Sequence, residues 1–541
     1  MAGPASHAAP KPHPRRLELA PLSSKNHKRA TGNWRIATGH IETTRTAAEI
    51  LDAGGNAADA AVAAALSAAV AEPLLCSLGG GLHALFHCDG KAPLALDAFT
   101  QTPRKRRLDS LDFYPITGNF GTDVQEFHVG MAAIATPGAL AGLLALSRRF
   151  GRMPLAAVVQ PAIELARRGV EVNRVQAYAL RILEPIVRAS DDTARVFGLG
   201  HREGNLPGPG SRVGNPALAD YLDHLGQAGE DSFYRGELAR RLAADSVYNG
   251  GHLTLDDLSG YRPRWRRPLR WRYRDATVCS TPPPAFGGMM LALASSSLAR
   301  DLDPAVRPDS PEHLAALCQA MAESEDLRQH LEQPELLGSA RGLRQAFMQL
   351  PSNSAASQRG TTHISIDDGC GQAVAMTLSN GEGNSYVLPG TGIVLNNMLG
   401  EEDINRCGFH GWPTNRRLAS MMAPTLVQRG DQRWLLGSGG SNRIRTTLAQ
   451  VIGRLIDFDQ PLQAAIDAPR LHLERGRLAL EAPTAAWPAD SLAWLSDHYP
   501  DARRWPDRNL FFGGVHAVAT GAAAADSRRA GCALTRETWR W

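Results

Sequence analysis

The stretch "AADAAVAAALSAAVAEP", residues 57–73, leaves this chain few structural options. It is nearly all alanine, the strongest helix former, and its small side chains cover every face. A helix without a polar face is not a surface helix. It has to be buried, with other backbone packed closely against it. Asn56 is placed to cap it, and Asp59 falls in its first turn near the positive dipole end. The preceding segment, "TTRTAAEILDAGG", reads as a helix closed by Gly54 and Gly55. The chain has 541 residues, enough for two domains or for one large layered unit around such a helix.

The texture of the rest is mixed. Residues 1–33 read as a tail, and "WRIATGH" as a short strand. "CSLGGGLHALFHCDGKAPLALDAF" gives a glycine triplet and then two strand-like runs around the turn Asp89-Gly90. Residues 136–300 are mostly helical in pattern. "TPPPAFGGMM" is a rigid turn entering a helix, and residues 301–350 look helical. Residues 351–360 read as an exposed, flexible strip. From Thr361 to about Leu426 the pattern becomes strands and glycine turns. "GSGGSNRIRTTLAQVIGRLIDF" is a glycine turn feeding a helix.

Composition excludes several classes. Charged residues make up 21% and the formal charge is +4, which does not argue for a nucleic-acid binder. "RPRWRRPLRWRYRD" mixes arginine with aromatics, but Arg270 to Arg274 alternates as a half-exposed strand does. Seven scattered cysteines without a CxxC give neither a disulfide framework nor a zinc site. His83 and His87 are four apart on a strand-like run, about 13 Å between Cα atoms, too far to share one ion. "SLGGGL" and "GSGGSNR" fit neither nucleotide-loop pattern. No apolar run has the length and composition of a membrane span, and no secretory segment is visible at the N-terminus. The expectation is a cytoplasmic enzyme without metal or cofactor.

One short motif has chemistry of its own. Gly360-Thr361-Thr362-His363 stands where the loose strip meets a strand. A threonine at a new N-terminus carries a hydroxyl nucleophile together with an α-amine of pKa about 7.7–8.0, a base near neutrality. Making that residue requires the chain to cut itself, and glycine leaves the bond uncrowded. Alone, the tetrapeptide is weak evidence, since most such tetrapeptides are simply the start of a strand.

The rest of the chain adds a resemblance. "DAGGNAADAAVAAALSAAVAEPLLCSLGGGL", "TPGALAG", "DSFYRGELARRLA", "TPPPAFGG", "TTHISIDDGCGQAVAMT", "GTGIVLNNMLGEED", "MMAPTLV", "GSGGSNRIRTTLAQVI" and "ADSRRAG" occur in this order. Together they resemble the gamma-glutamyltranspeptidase family from about Trp34 to the C-terminus. The resemblance implies an α+β chain with the four-layer α/β/β/α sandwich of the N-terminal-nucleophile hydrolases. It implies self-cleavage between Gly360 and Thr361, giving portions 34–360 and 361–541 that stay together as one unit. It implies cleavage of a γ-glutamyl amide such as glutathione, the acyl group passing to water or to an amine. Thr361 then falls at the nucleophile, Ser379 at the group that orients its amine, and the backbone amides of Gly440 and Ser441 at the oxyanion hole.

The glutamate pocket departs from the family pattern. The arginine that holds the substrate's α-carboxylate is replaced by Phe99 in "DAFTQTP", and phenylalanine cannot make a charge-assisted pair. Arg104 and the arginines after it would need a different loop path. The paired serines become Ser420 and Met421. The family's asparagine becomes Gly381, unless Asn380 fills its place by a one-residue shift. The aspartate for the α-amine becomes Glu401, and the loop Ile404–Asn415 is short for a lid. Two alternatives therefore accompany the glutathione-like reading. One is the same mechanism on a non-glutamyl amide, such as an acylated β-lactam amine or a small oxo-acid amide. The other is an unprocessed, non-catalytic binding homologue.

Overall fold

The computed structural model describes residues 32–119, 124–229, 231–329, 360–401, 404–405, 408–482 and 487–539. The expected 1–33 tail lies outside these apart from its last two residues. Gly32 is not loose: a Cβ there would stand 2.4 Å from the carbonyl oxygen of Asp368.

Two antiparallel sheets form the centre. The first is built, among the described residues, from β1 (Arg35–Thr38), β2 (Gly81–Cys88), β3 (Leu94–Ala98), β4 (Arg264–Arg266), β7 (Gly360–Asp367), β8 (Gln372–Gly381) and β13 (Cys532–Thr535). Its order is β13-β1-β7-β8-β2-β3-β4. The second contains β5 (Leu269–Tyr273), β6 (Ala276–Ser280), β9 (Thr425–Arg429), β10 (Gln432–Gly439), β11 (Gly514–Ala519) and β12 (Ala522–Ala525), ordered β12-β11-β10-β9-β6-β5. The sheets pack face to face across small residues: Ala37, Ala95, Ala373 and Ala375 of the first meet Leu426, Leu435 and Val518 of the second. Small side chains on one of the two faces permit close approach of the sheets.

Each outer face carries helices. On the first sheet lie α1 (Ile41–Asp52), α2 (Ala57–Ala71) and α3 (Ala139–Phe150), packed with Ile36, Ile364, Val374 and Met376. All fifteen residues of α2 are buried, as its alanine content demands, and Asn56 and Asp59 close a capping box at its start. On the second sheet lie α5 (Gly287–Asp301), α6 (Pro311–Gln329) and α7 (Arg443–Ile456), packed with Val278, Val427 and Leu436. A further helix, α4 (Arg174–Ile182), belongs to a separate apolar cluster with Val172, Ile186 and Phe197. The four-layer α/β/β/α order is thus present.

The arginine–aromatic stretch forms the strands its alternation predicted: along β5, Arg270 and Arg272 are exposed and Tyr273 is buried. Residues 351–359 of the expected strip lie outside the described residues. Its last residue differs from expectation. Gly360 is buried in β7 and paired with Gly381, because that position belongs to the central sheet rather than to the linker.

Candidate active site

The pairing of β7 with β8 is irregular at the residue that matters. Gly360 pairs with Gly381 and Thr362 with Leu378, so Thr361 alone on β7 faces two residues of β8, Ser379 and Asn380, and β8 bulges opposite it. A bulge re-aims one side chain without ending the strand. The Thr361 hydroxyl is directed at Ser379 Oγ at a long 3.4 Å. Ser379 in turn donates to the carbonyl oxygen of Gly360 at 2.8 Å and accepts from the Gly381 amide at 3.3 Å. The Thr361 carbonyl accepts from Arg529 Nη1 at 3.1 Å. Burial lowers the Arg529 guanidinium to about 10, which still leaves it charged at neutral pH.

The next residue faces the helices. Thr362 Oγ1 donates to Glu72 Oε2 at 2.8 Å. Glu72 follows the alanine helix directly, and burial pushes its carboxyl up to about 7. Gly39 makes this contact possible, since a Cβ there would lie 2.3 Å from Glu72 Oε2 and 2.6 Å from Thr362 Oγ1. His363 is structural: it is bracketed by the Thr377 and Ser365 hydroxyls at 2.7 and 2.9 Å, and burial holds it well below its usual pKa.

The glycine turn arrives from the second sheet. A Cβ on Gly439 would stand 2.3 Å from the Thr361 carbonyl oxygen, so the two backbones touch there. Gly440 (φ +115°) and Ser441 (φ +53°) then turn the chain into α7.

Thr361 and Ser379 open onto a cleft of ≈ 310 Å³ counted to its mouth. Besides these two, its wall holds Ser420 and Ser441 and otherwise only Phe99, Met398, Ile404, Met421, Met422 and Ile444. None of the described residues lining it is charged. Phe99 is buried against the ring of His83, centroid to centroid 5.5 Å, and burial keeps that histidine at about 4, hence neutral. The arginine nearest to Phe99 is turned away from the cleft. Arg417 donates to the carbonyl of Arg262 at 2.7 Å and also bonds the carbonyl of Phe99; it lies over the Tyr261 ring and pairs with Asp97 at 3.2 Å. Burial opposes the Asp97 charge, but Arg417, together with His83 and Arg266, outweighs it and holds the carboxyl below its usual range. Arg104 is also elsewhere: its backbone amide donates to Asp257, and its guanidinium lies against Gly260.

Of the residues singled out from sequence, Thr361, Ser379, Ser420, Met421, Phe99 and Ser441 come together at the cleft. Gly381 and Glu401 do not line it. Glu401 is buried, with its carboxylate over the Cα of Gly381, where a Cβ would meet Oε1 at 2.8 Å. Asn380 points its amide at the carbonyls of Val394 and Leu395, so it does not take up the place of the missing asparagine. Met398, Met422, Ile404 and Ile444 escaped the sequence reading, as did Glu72 and Arg529. Two signals were present: Met398 lies inside "NNMLGEED", and Glu72 is the charged residue that directly follows the alanine-rich helix.

Among the described residues, no helix is long and apolar enough to cross a membrane, and no group of three or more His, Cys, Asp or Glu side chains is placed to hold a metal ion.

Two face-to-face antiparallel sheets between helical layers, with a threonine at the head of a central strand, define the fold of the N-terminal-nucleophile hydrolases. The gamma-glutamyltranspeptidase family model matches residues 43–535, and the chain belongs to that family of amide-cleaving and acyl-transferring enzymes. The acylase ACY 1 proenzyme of Pseudomonas sp. (strain V22) is 32% identical over 502 residues, covering 87% of this chain and 88% of that protein. The glutathione hydrolase proenzyme of Escherichia coli (strain K12) is 30% identical over 479 residues, covering 81% and 80%. In structure, the cephalosporin acylase from Bacillus halodurans superposes with a TM-score of 0.76 at 24% identity over 96% of this chain and 99% of that one, a likeness of fold.

Proposed function

We propose that the chain is a self-processing threonine amidohydrolase that cuts itself between Gly360 and Thr361 and then uses Thr361 as its nucleophile. The observation that carries this is the Ser379 hydroxyl, which bonds the Gly360 carbonyl while standing beside the Thr361 hydroxyl. Thr361 Oγ1 attacks the Gly360 carbonyl carbon, and Ser379 donates to the oxygen as charge develops there. The C–N bond breaks, the Thr361 nitrogen takes the proton, and an ester forms. Water hydrolyses the ester to leave a Gly360 carboxylate and a free Thr361 amine. The portions before and after the cut remain one unit, because β7 is hydrogen-bonded to β1 and β8 in the middle of the sheet.

In the processed enzyme the Thr361 amine serves as the base for its own hydroxyl. The hydroxyl attacks a small-molecule amide, with the Gly440 and Ser441 amides as oxyanion donors. The acyl group then leaves Thr361 for water or an amine. Both relatives above are named as proenzymes, which supports processing. Mass spectrometry of purified protein tests it: wild type gives a chain beginning at Thr361, and Thr361→Ala gives only full length. An intact wild-type chain refutes the proposal.

The cleft lining favours an acyl group other than glutamyl. Glutamate's α-carboxylate and α-amine need charged partners when buried, whereas Phe99, Met398 and Met421 offer apolar contact. The acylase relative is compatible with this reading, and the glutathione hydrolase relative with the γ-glutamyl one. Turnover of γ-glutamyl-4-nitroanilide against butyryl-, hexanoyl- and phenylacetyl-4-nitroanilide separates the two. Apolar acyl groups are expected to be preferred at least tenfold in kcat/KM, and preference for the γ-glutamyl compound overturns it.

A further inference from the structure

The exposed apolar side chains are not scattered. Among the described residues six large hydrophobic side chains are exposed, and four of them, Leu108, Val247, Tyr248 and Leu255, fall on two neighbouring stretches. Leu108 and Tyr248 are each 89% exposed, and Val247 57%. Hydrogen bonds tie the stretches together. The Arg107 guanidinium donates to the Val247 carbonyl at 2.7 Å, and the Asp112 amide donates to the Gly250 carbonyl at 3.2 Å. The Arg104 amide donates at 2.7 Å to Asp257, two residues beyond Leu255. Val247 and Tyr248 end the helix Glu237–Tyr248, just before the chain turns at Gly250 (φ +78°).

The same surface is basic. Arg104, Lys105 and Arg106 are exposed, and Arg107 is half-buried. Exposed Arg262 and Arg416 stand beside them. The Arg104 guanidinium lies against Gly260, Arg417 bonds the Arg262 carbonyl at 2.7 Å, and the Arg416 amide donates to Thr102 at 2.9 Å. Among the described residues, none of these six cations pairs with a carboxylate. Arg106 instead spends its guanidinium on the His410 carbonyl at 2.8 Å. Elsewhere on the surface arginines do find acids, as Arg167 finds Asp220 and Arg300 finds Glu323. On the stretches described here only Asp109 and Asp256 are exposed carboxylates.

We infer that this face docks on an anionic membrane surface, with the cations at the lipid headgroups and Leu108, Val247 and Tyr248 entering the interface. The unpaired cations call for a partner with many negative charges. The apolar side chains among them select lipid. Surfaces that bind nucleic acid set aromatic rings among their cations for bases to stack on. Here leucine and valine take those places, and a phosphate polymer gives them nothing to contact. Aliphatic groups beside lysine and arginine are what an interfacial surface carries. A tyrosine with an apolar ring and a polar tip suits the headgroup level. Attraction to a negative leaflet is worth about fivefold in partitioning for each Lys or Arg near it. Six cations against two carboxylates therefore give reversible attachment without a spanning helix.

Co-sedimentation of the full chain with lipid vesicles tests this. Phosphatidylcholine vesicles containing roughly 30% phosphatidylglycerol are expected to bind it at least tenfold more tightly than pure phosphatidylcholine, and added salt should shrink the difference. Lys105→Glu combined with Arg416→Glu should weaken binding to the anionic vesicles at least tenfold. Leu108→Ser combined with Tyr248→Ser should weaken it at least threefold, and that loss should persist at high salt. All four side chains are exposed, so both double variants should melt as wild type does. Equal binding to the two kinds of vesicle overturns the proposal. So does wild-type affinity in both double variants, the result expected if basic residues off this face, such as Arg15 and Arg16, carry the attraction. A third result also overturns it: duplex DNA displaces the vesicles while the Leu108/Tyr248 variant keeps full vesicle affinity. The face would then be a site for polyanions and not for lipid.

Discussion

Ser379 Oγ stands 2.8 Å from the Gly360 carbonyl oxygen and 3.4 Å from Thr361 Oγ1, between the two groups that self-cleavage would join. Because the Gly381 amide and the Thr361 hydroxyl both point toward Ser379 Oγ, its own proton is left to the carbonyl. Ser379→Ala removes the only hydroxyl bonded to that oxygen among the described residues. Processing is expected to slow by roughly 10²–10³-fold, the usual effect of deleting one aimed donor. Ser379→Thr keeps the hydroxyl and should restore most of the rate. The time course of chain splitting on denaturing gels measures both, and an alanine variant that splits at the wild-type rate refutes the role.

Acyl selectivity should follow the volume around Met421. That side chain packs with Phe286, Met289 and Met290 behind the cleft and closes one wall. Met421→Ala removes methylenes from the wall, and each methylene of acyl chain then accommodated is worth about 1–3 kcal/mol. The hexanoyl-to-butyryl ratio of kcat/KM is expected to rise about tenfold or more. A constant ratio would place the acyl chain somewhere else.

Much of this was readable from the sequence alone, and the reasons differ from residue to residue. The α2 helix was legible because all-round alanine has one physical outcome. Thr361, Ser379 and the glycine turn were legible through ordered motifs. Phe99 and Met421 were legible as departures from those motifs. Glu401 was not, because alignment places a residue in a chain and not in a cleft; its carboxylate lies over Gly381 instead. Glu72 and Arg529 stood in or beside quoted stretches, but their meeting with the Thr361 segment was not readable there, for a related reason. They reach the cleavage site from a helix end and from the last part of the chain, 289 and 168 residues from Thr361 in sequence.

Glu72 should make stability fall as pH rises. Its carboxyl is buried with the Thr362 hydroxyl, Thr43, Arg529 and Cys76 as neighbours, and burial raises it from 4.5 to about 7. The folded state therefore binds the proton more tightly than the unfolded state does. That stabilisation is fully present below about pH 4.5 and is lost as pH rises to about 7. A rise of this size corresponds to at most about 3 kcal/mol. Glu72→Gln cannot ionise, so the difference in unfolding free energy between variant and wild type should move in favour of the variant from pH 5 to pH 8. Denaturant unfolding of the Thr361→Ala background at both values checks it, since processing is then out of play. A difference that stays flat, or moves in favour of wild type, is the contrary result.

Restoring the family's asparagine at position 381 should harm the protein rather than repair the glutamate pocket. Gly381 has φ +68°, a conformation asparagine tolerates better than most residues, so backbone strain is not the main obstacle. Space is. A Cβ at Gly381 would stand 2.0 Å from Asn397 Oδ1 and 2.8 Å from Glu401 Oε1. Asn397 cannot yield cheaply, because its Oδ1 accepts from the Glu382 amide at 3.1 Å and its Nδ2 donates to the His128 carbonyl at 3.3 Å. Moving it leaves buried polar groups without partners, at roughly 1–3 kcal/mol each. Gly381→Ala isolates the steric part and is expected to cost about 2–4 kcal/mol of unfolding free energy, combining that loss with strain at a positive φ. Gly381→Asn should be no more stable than the alanine variant and should gain no γ-glutamyl turnover. Thermal melting and the nitroanilide panel read the two consequences separately, and a Gly381→Asn protein of wild-type stability with new γ-glutamyl activity would show that the packing around Asn397 and Glu401 gives way after all.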